Sequence, residues 1–443
     1  MNSAHFGDLR HAKRLKAVLK TLAEQPTASV PEASGSASEA QNIYRFWSNG
    51  KVKPRAILAS HRDGVVKRAQ ECQVVLAIQD TTDLSYATRP KTSGLGFTNQ
   101  SNNLGIKVHN CFAVSGEGEP LGMIHQYCWS RKKRSGKKQK RHKTPIAKKE
   151  SYRWLVGVKA AEAALCSVVQ TVHVGDREAD IFELFAQPRT ANSELLIRAE
   201  HNRKVQHELE YLVPTIEQAP VLGEFTLQVH RNPKRKARTA HLQVRAMELT
   251  LQVPGKHPKS SGLEPVTLGA ILVDEHVSPE DGGKPIRWLL LTTLAIDSFK
   301  QVLTCIRWYS YRWLIERFHF TLKSGCGIEE MQLESAFRLR KALATYSIVA
   351  WRLMWLTYRA RLSPDDSCEI VLQAAEWRLL RRKFSPKSRS KKPPTLKQAM
   401  VWIAQLGGFL ARKGDGDPGV KTLWRGLTKL HSMLEGAQLA SNP

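Results

Sequence analysis

Apolar residues near the start of the chain recur at helical spacing. A helix is predicted over residues 9–22, because Asp8 can cap it and one face is formed by Leu15, Leu19 and Leu22. Lysine and arginine side chains cover much of the rest of this helix. A second helix is predicted over residues 37–47, after a polar loop that contains proline. Such basic helices suit contact with phosphates, although ordinary solvated helices show the same pattern.

Buried strands are predicted farther along the chain. A continuous apolar run over residues 74–78 is typical of a strand buried on both faces, and it ends just before Asp80. A shorter apolar run over residues 172–174 ends in the same way just before Asp176. An alanine-rich helix is predicted between the two runs, over residues 152–169.

The pattern changes near residue 225. From there to residue 277, apolar and polar residues alternate in short segments, which predicts antiparallel strands joined by turns. Residues 288–291 predict another buried strand. Helices are then predicted over residues 302–324 and 336–361, followed by a basic linker at residues 380–397 and a helical C-terminal part.

The charge balance points to a polyanionic partner. The chain of 443 residues has 68 lysines and arginines against 40 acidic residues, a formal net charge of +28. Solubility alone requires much less charge, so nucleic acid or an anionic membrane is indicated. No stretch of about 18 apolar residues is present, and the N-terminus lacks the apolar segment of a signal peptide, so no membrane association is expected.

Cysteine usage favours a reducing compartment. The seven cysteines are scattered and form no C-x-x-C pair, which argues against a disulfide framework or a zinc site. We therefore expect a cytoplasmic protein that meets nucleic acid there. The segment 131–149, rich in lysine and arginine and free of acids, is expected to be a solvated basic loop.

The candidate chemistry lies in the segment 308–323. On a continuous helix, Tyr309, Arg312, Glu316 and Lys323 fall within about 60° of one another, since each residue advances by about 100°. One face would then hold a carboxylate flanked by two cations and a phenol. Taken alone, the segment also fits a surface helix with an ordinary i,i+4 ion pair between Arg312 and Glu316.

Two further acids favour a metal site. Asp80 and Asp176 each follow a predicted buried strand, and sites in α/β proteins are built at such strand ends. With Glu316 they form three carboxylates, the oxygen ligands that Mg²⁺ prefers. Two such ions can assist phosphoryl transfer, with Arg312 and Lys323 as clamps on the scissile phosphate.

These motifs resemble a known family. Tyr309, Arg312, Glu316 and Lys323 have the spacing Y-x2-R-x3-E-x6-K, which resembles the motif of bacterial DDE transposases of the IS-four group, related to the Tn-five transposase. Residues 78–86 and 176–181 resemble the family's two aspartate segments. Residues 7–15 resemble its end-recognition segment, and residues 405–410 the start of its dimerisation region.

The resemblance implies an α/β fold in four parts. Residues 61–220 and 287–362 would form a ribonuclease-H-like catalytic domain, interrupted at residues 221–286 by an antiparallel β-strand insertion. Residues 1–60 would form a helical DNA end-recognition domain. Residues 363–443 would form a linker and a helical C-terminal dimerisation domain.

The resemblance also implies the reaction and its partners. A cut-and-paste transposase nicks transposon ends, forms and opens a hairpin, and transfers the ends into target DNA. Two Mg²⁺ ions per active site are implied, with Mn²⁺ as a substitute, held by Asp80, Asp176 and Glu316. The partners would be double-stranded DNA, as transposon ends and target, and a second copy of the chain in a synaptic homodimer in the bacterial nucleoid.

The family assigns further residues to DNA. Arg198 matches a basic position that contacts end DNA, and Trp288 matches a tryptophan that stacks on a flipped base during hairpin formation. Arg203 and Lys204 lie in the same basic neighbourhood as Arg198. On the N-terminal helix, the residues expected to read the ends are Arg10 and Arg14.

A stripe near the C-terminus suits self-association. Its residues lie at i, i+4, i+7 and i+11: Leu423, Leu427, Leu430 and Leu434. Packing within the chain is the alternative.

Two other functions remain open. A ribonuclease-H-like nuclease without strand transfer would not need Trp288, and an inactive DNA-binding derivative would not need all three acids.

Overall fold

The computed structural model describes residues 6–98, 103–132, 144–229, 237–255, 262–277 and 283–441. The chain forms two compact units. Unit 1 comprises Met1–Glu71, Thr81–Arg134 and Leu314–Pro443, and unit 2 comprises Cys72–Asp80 and Ser135–Trp313. The predicted loop 131–149 lies partly outside the described residues. The domain bounds expected from the sequence stay predictions.

Unit 2 is built on a mixed sheet. The first part of β1 (Val74–Ser85) pairs with β5 (Gln170–Gly175), and β5 pairs with β6 (Ser193–Arg198), both in parallel. The remaining strands follow in antiparallel order: β10 (Arg287–Thr292), β9 (Val266–Glu275), β8 (Arg238–Leu251) and β7 (Val221–Val229). The antiparallel strands expected after residue 225 are thus confirmed, and they extend the sheet that carries β5 and β6.

Helices cover the sheet of unit 2. They are α5 (Tyr152–Ala164), α6 (Phe182–Ala186), α7 (Leu212–Gln218) and α8 (Phe299–Ser310). Trp154 of α5 and Phe185 of α6 belong to one buried cluster with Leu249 and Leu251 of β8. The opposite phase of β8 is also buried, at Leu242 and Val244. The apolar side of β8 therefore changes from one face of the sheet to the other along the strand. For this reason the apolar positions before and after the change are offset by one residue.

Unit 1 is mainly helical. Its strands follow the order β2 (Gly96–Phe97), β3 (Leu104–Ser115) and the second part of β1. A further strand, β4 (Pro120–Trp129), also pairs with β3. Its helices are α1 (Leu9–Glu24), α2 (Val30–Ala33), α3 (Ala37–Ser48), α4 (Pro54–Gln70), α9 (Trp313–Phe320), α10 (Ala336–Leu362), α11 (Ala374–Phe384), α12 (Leu396–Leu406) and α13 (Val420–Ser441). Across the described ranges, no helix combines the length and apolarity that a bilayer crossing requires.

The N-terminal helix is confirmed. The Asp8 carboxylate caps α1 by accepting the backbone N–H of Arg10 at 2.8 Å. Leu15, Leu19 and Leu22 are buried, as their spacing predicts. Hydrophobic burial of this face therefore fixes which side of α1 stays in solvent, and the exposed side carries the cations.

The prediction of one helix over residues 302–324 is wrong. The backbone N–H of Tyr311 donates to the carbonyl of Trp308, and that of Arg312 to the carbonyl of Tyr309, so a tight turn separates α8 from α9. A second irregularity follows, because the N–H of Cys326 donates to the carbonyl of Thr321 in a π turn. The common face calculated for a continuous helix therefore does not apply.

The leucine stripe of α13 is also not a free surface. Leu423, Leu427 and Leu430 are buried within the chain, and only Leu434 of the four is half-buried. Two glycines allow α12 and α13 to pack closely. A Cβ at Gly426 would stand 1.7 Å from the carbonyl oxygen of Ile403, and one at Gly407 would stand 1.9 Å from that of Thr422. The stripe is therefore core, and packing within the chain is what the structure shows.

Candidate active site

The register of two parallel strands brings Asp80 and Asp176 side by side. Ile78 of β1 pairs with Val174 of β5, and each aspartate lies two residues beyond its member of that pair. Neighbouring strands are about 4.8 Å apart, and residues at equal offsets point to the same side of a sheet. The two residues are therefore expected to lie close together at this edge of the sheet. Asp80 lies inside β1, since the strand continues to Ser85, so its expected place at a strand end is corrected.

Asp176 begins a tight turn at the end of β5. Its carboxylate accepts the backbone N–H of Glu178 at 2.9 Å. Burial raises the pKa of Asp176, while the N–H of Glu178 and the guanidinium of Arg312 oppose that rise. Arg153 acts in the same direction as Arg312 and is itself paired with the Glu178 carboxylate at 2.5 Å. Asp176 is thus a partly buried acid beside two arginines.

Tyr309 and Trp288 form the neighbouring wall of unit 2. The two rings meet edge to face, with their centroids 5.6 Å apart and an interplanar angle of 67°. Burial raises the pKa of Tyr309, and the cations Arg312 and Arg198 oppose that rise. Arg198 hydrogen-bonds the Tyr309 side chain and also donates to the carbonyl of Arg287 at 3.1 Å. Since its pKa is raised, the Tyr309 hydroxyl is a neutral hydrogen-bond donor at physiological pH.

Glu316 and Lys323 belong to unit 1. Glu316 lies on the exposed face of α9, whose other face is anchored by the buried residues Leu314, Ile315 and Phe318. Lys323 lies in the π turn, where its Nζ donates to the carbonyl of Asp83 at 2.6 Å and lies 3.9 Å from the Glu329 carboxylate.

Glu329 is in turn fixed by the last residues of β1. Its carboxylate accepts the backbone N–H of Ser85 at 2.7 Å. Asp83 pairs through its carboxylate with the buried ammonium of Lys107. The end of β1 therefore holds Lys323 by two contacts, one to a carbonyl and one to an oriented carboxylate. No pattern in the sequence indicated these roles for Glu329, Asp83 or Lys107.

The structure brings six of the expected residues together within unit 2: Asp80, Asp176, Trp288, Tyr309, Arg312 and Arg198. Within the described ranges, no group of three or more His, Cys, Asp or Glu side chains is arranged as a metal site. The aspartate pair nevertheless supplies the carboxylate oxygens that a hard divalent cation requires.

Arg203 has a structural role that the sequence did not reveal. Its guanidinium donates to the Asp180 carboxylate at 2.5 Å, and the two side chains are 9% and 0% exposed. The same carboxylate accepts the backbone N–H groups of Glu200 and His201, each at 2.8 Å. Contact between Arg203 and DNA stays a prediction. Lys204, by contrast, is exposed and lies over the ring of Tyr211.

We expect Asp180→Ala to lower the free energy of unfolding by about 3–5 kcal/mol, because it leaves the guanidinium of Arg203 buried without its partner. Thermal or urea unfolding would measure the change. Lys204→Ala is the control and should leave stability almost unchanged. The double variant Asp180→Ala with Arg203→Met should recover much of the loss, and a double variant as unstable as the single one would refute the ion-pair explanation.

The N-terminal cations remain available to a partner. Arg10 is largely exposed, with its guanidinium 2.9 Å from the Asp8 carboxylate. Arg14 is also exposed on α1. Together with Lys13, the two arginines line one side of a groove whose other side is formed by Glu39, Asn42 and Ile43 of α3.

Comparison with known protein families gives matches at the two ends of the chain. Residues 1–52 match the transposase DNA-binding family, and residues 348–442 match the transposase Tn5 dimerisation domain. A DNA-binding domain at one end and a dimerisation domain at the other support a transposase that binds DNA and forms a homodimer. In particular, the two matches support a Tn5-like transposase, as the resemblance of its motifs predicted.

Proposed function

We propose that the protein is a cut-and-paste DNA transposase of the IS-four group with a ribonuclease-H-like catalytic domain. It would nick the transposon ends, form and open hairpins, and transfer the ends into target DNA. The observation that carries the proposal is the arrangement in unit 2, where Asp80 and Asp176 each follow by two residues the last paired positions of β1 and β5, and Arg312 acts on the pKa of Asp176. A pair of acids next to cations and a phenol suits phosphodiester chemistry.

The metal ligands in this proposal are Asp80, Asp176 and Glu316. When bound, two Mg²⁺ ions, or Mn²⁺ as a substitute, would polarise the scissile phosphate and favour deprotonation of the attacking hydroxyl. Partial burial raises the pKa of Asp176. Arg312 opposes this rise in pKa and so favours the charged form of the carboxylate.

The surrounding side chains would position the DNA. Arg312 can pair with the scissile phosphate, because an arginine offers several donors to phosphate oxygens. The neutral hydroxyl of Tyr309 can donate a hydrogen bond to another oxygen of the same phosphate. Lys323, held by the carbonyl of Asp83, would contribute a fixed positive charge. Trp288 would stack on a base displaced from the duplex.

The test is a cleavage assay on short duplexes that carry the terminal inverted repeats flanking the gene. In the presence of Mg²⁺, the purified protein should produce nicked ends, then hairpins, then joints with a target plasmid. Nicks without hairpins or joints would indicate a nuclease without strand transfer. Specific end binding without any cleavage would indicate an inactive DNA-binding derivative.

A further inference from the structure

A second concentration of positive charge lies on α11 and the loop after it. Between residues 377 and 397 the chain contains nine lysines and arginines and no aspartate or glutamate. We call the exposed members of this segment the α11 basic surface: Arg378, Arg382, Lys383, Lys387, Arg389, Lys391, Lys392 and Lys397. In the part of the chain that the structure describes, none of these eight cations pairs with a carboxylate.

Contacts with α11 and α12 hold this segment in place. The half-buried guanidinium of Arg381 lies 4.8 Å from the ring centre of Trp377 and donates to the carbonyls of Ser390 and Lys392. The rings of Phe384 and Trp402 stack, with their planes at 10°. These contacts tie the loop to α11 and α12, so the cations project from a defined surface.

The far end of the loop is fixed as well. The backbone N–H of Cys368 donates to the carbonyl of Pro394 at 3.1 Å, and that of Leu396 donates to the carbonyl of Asp366 at 2.7 Å. The loop is therefore anchored at both ends and at two points between. A surface positioned in this way loses less entropy on binding than a free basic tail does.

The chemistry of this surface fits the phosphate backbone of duplex DNA. Its functional groups are cations alone, and cations that contact phosphates carry no sequence information. The two tryptophans of the region, Trp377 and Trp402, are buried and cannot stack on bases, as binding of a single strand would favour. A second copy of the same surface is also a poor partner, because like charges repel.

We propose that the α11 basic surface binds the target DNA duplex. The inference rests on the proposed function, since only strand transfer requires a second DNA. Transposon ends must be selected by sequence, whereas a surface that offers only phosphate contacts accepts any duplex. The α11 basic surface therefore suits the target duplex, which need not be selected by sequence.

The test variant replaces Lys387, Arg389 and Lys391 by Gln. A matched control replaces Arg55, Arg62 and Lys67 on α4 by Gln; these are also three exposed cations, so the same total charge is removed. Both proteins are loaded with precut ends. Affinity for a random 40-base-pair duplex is then measured at several salt concentrations, together with joining to a plasmid, nicking of uncut ends and melting temperature.

For the test variant we expect target affinity and joining to fall about tenfold or more at physiological salt. The log–log salt slope should become shallower by about 0.9 per lost phosphate contact, or roughly 2.7 for three. End binding, nicking and melting temperature should remain those of the wild type, and the control variant should keep target affinity.

Two outcomes would overturn the inference. Unchanged target affinity and salt slope would show that the surface does not hold target DNA. Equal losses of end binding and target binding would show that it holds the ends. Failure of the proposed function looks different, because the wild-type protein would then not nick end DNA at all, while random-duplex binding would still report on the surface.

Discussion

Asp80→Ala, Asp176→Ala and Glu316→Ala are each expected to reduce nicking of an end duplex by roughly a thousandfold or more. Each change removes a proposed ligand of a metal ion whose contribution to phosphoryl transfer is several kcal/mol. Affinity for the same duplex in the presence of a chelator should stay close to that of the wild type, because none of these carboxylates is expected to contact a DNA groove. A gel assay of nicked product, with a parallel binding assay, measures both.

Glu178 supplies a matched control for the first prediction. It lies in the same turn as Asp176, but its exposed carboxylate pairs with Arg153. Glu178→Ala should therefore retain most of the nicking activity. Near-normal nicking by any of the three proposed ligand variants, in a sample with normal melting temperature, would show that the assignment of that ligand is wrong.

Trp288→Ala is expected to nick at nearly the normal rate but to form hairpins roughly 10- to 100-fold more slowly. Hairpin formation requires a sharp bend, which is eased when a base leaves the stack at a cost of a few kcal/mol. An aromatic ring can return about 1–3 kcal/mol by stacking on that base. Trp288 is half-buried and meets Tyr309 edge to face, so removal of its ring alters a wall of the site without emptying the core.

Three comparisons sharpen the second prediction. Trp288→Phe should keep part of the hairpin activity, and a mismatch at the displaced base pair should partly rescue Trp288→Ala. Leu290→Ala, in the same strand but fully buried, should lower the melting temperature without selective loss of hairpins. If Trp288→Ala behaved like Leu290→Ala, with nicking and hairpins lost together, Trp288 would be a core residue.

Elements with a single, uninterrupted pattern could be predicted from the sequence. The helix α1 follows from one apolar period and one buried face, and the strands β5 and β10 follow from short continuous apolar runs. The Y-R-E-K spacing and the two aspartate segments also led to the candidate site, because the chemistry of those side chains is specific. The parallel pairing of β1 with β5 then brings Asp80 near Asp176. Two separate apolar runs predict two strands, but they do not show that these strands are neighbours.

Features that depend on long-range packing could not be predicted. The turn at Tyr311–Arg312 and the π turn after α9 occur inside a segment whose local pattern fits one long helix. The leucine stripe of α13 has the same pattern whether it faces another copy of the chain or α12. The structure shows it packed within the chain, with a close approach of the two helices at Gly426. The ion pair of Arg203 with Asp180 could not be predicted either, because the sequence does not show which acid its guanidinium meets.

The two end residues of the segment Asp176–Asp180 have different roles. Its first acid is proposed to serve catalysis, while its last acid holds Arg203 and two backbone N–H groups in the folded protein. A descendant of this gene that had lost transposition and been retained for DNA binding would be free to lose Asp176. It would still be expected to keep Asp180. Loss of Asp176 with retention of Asp180 would therefore distinguish inactive copies of the gene from active ones.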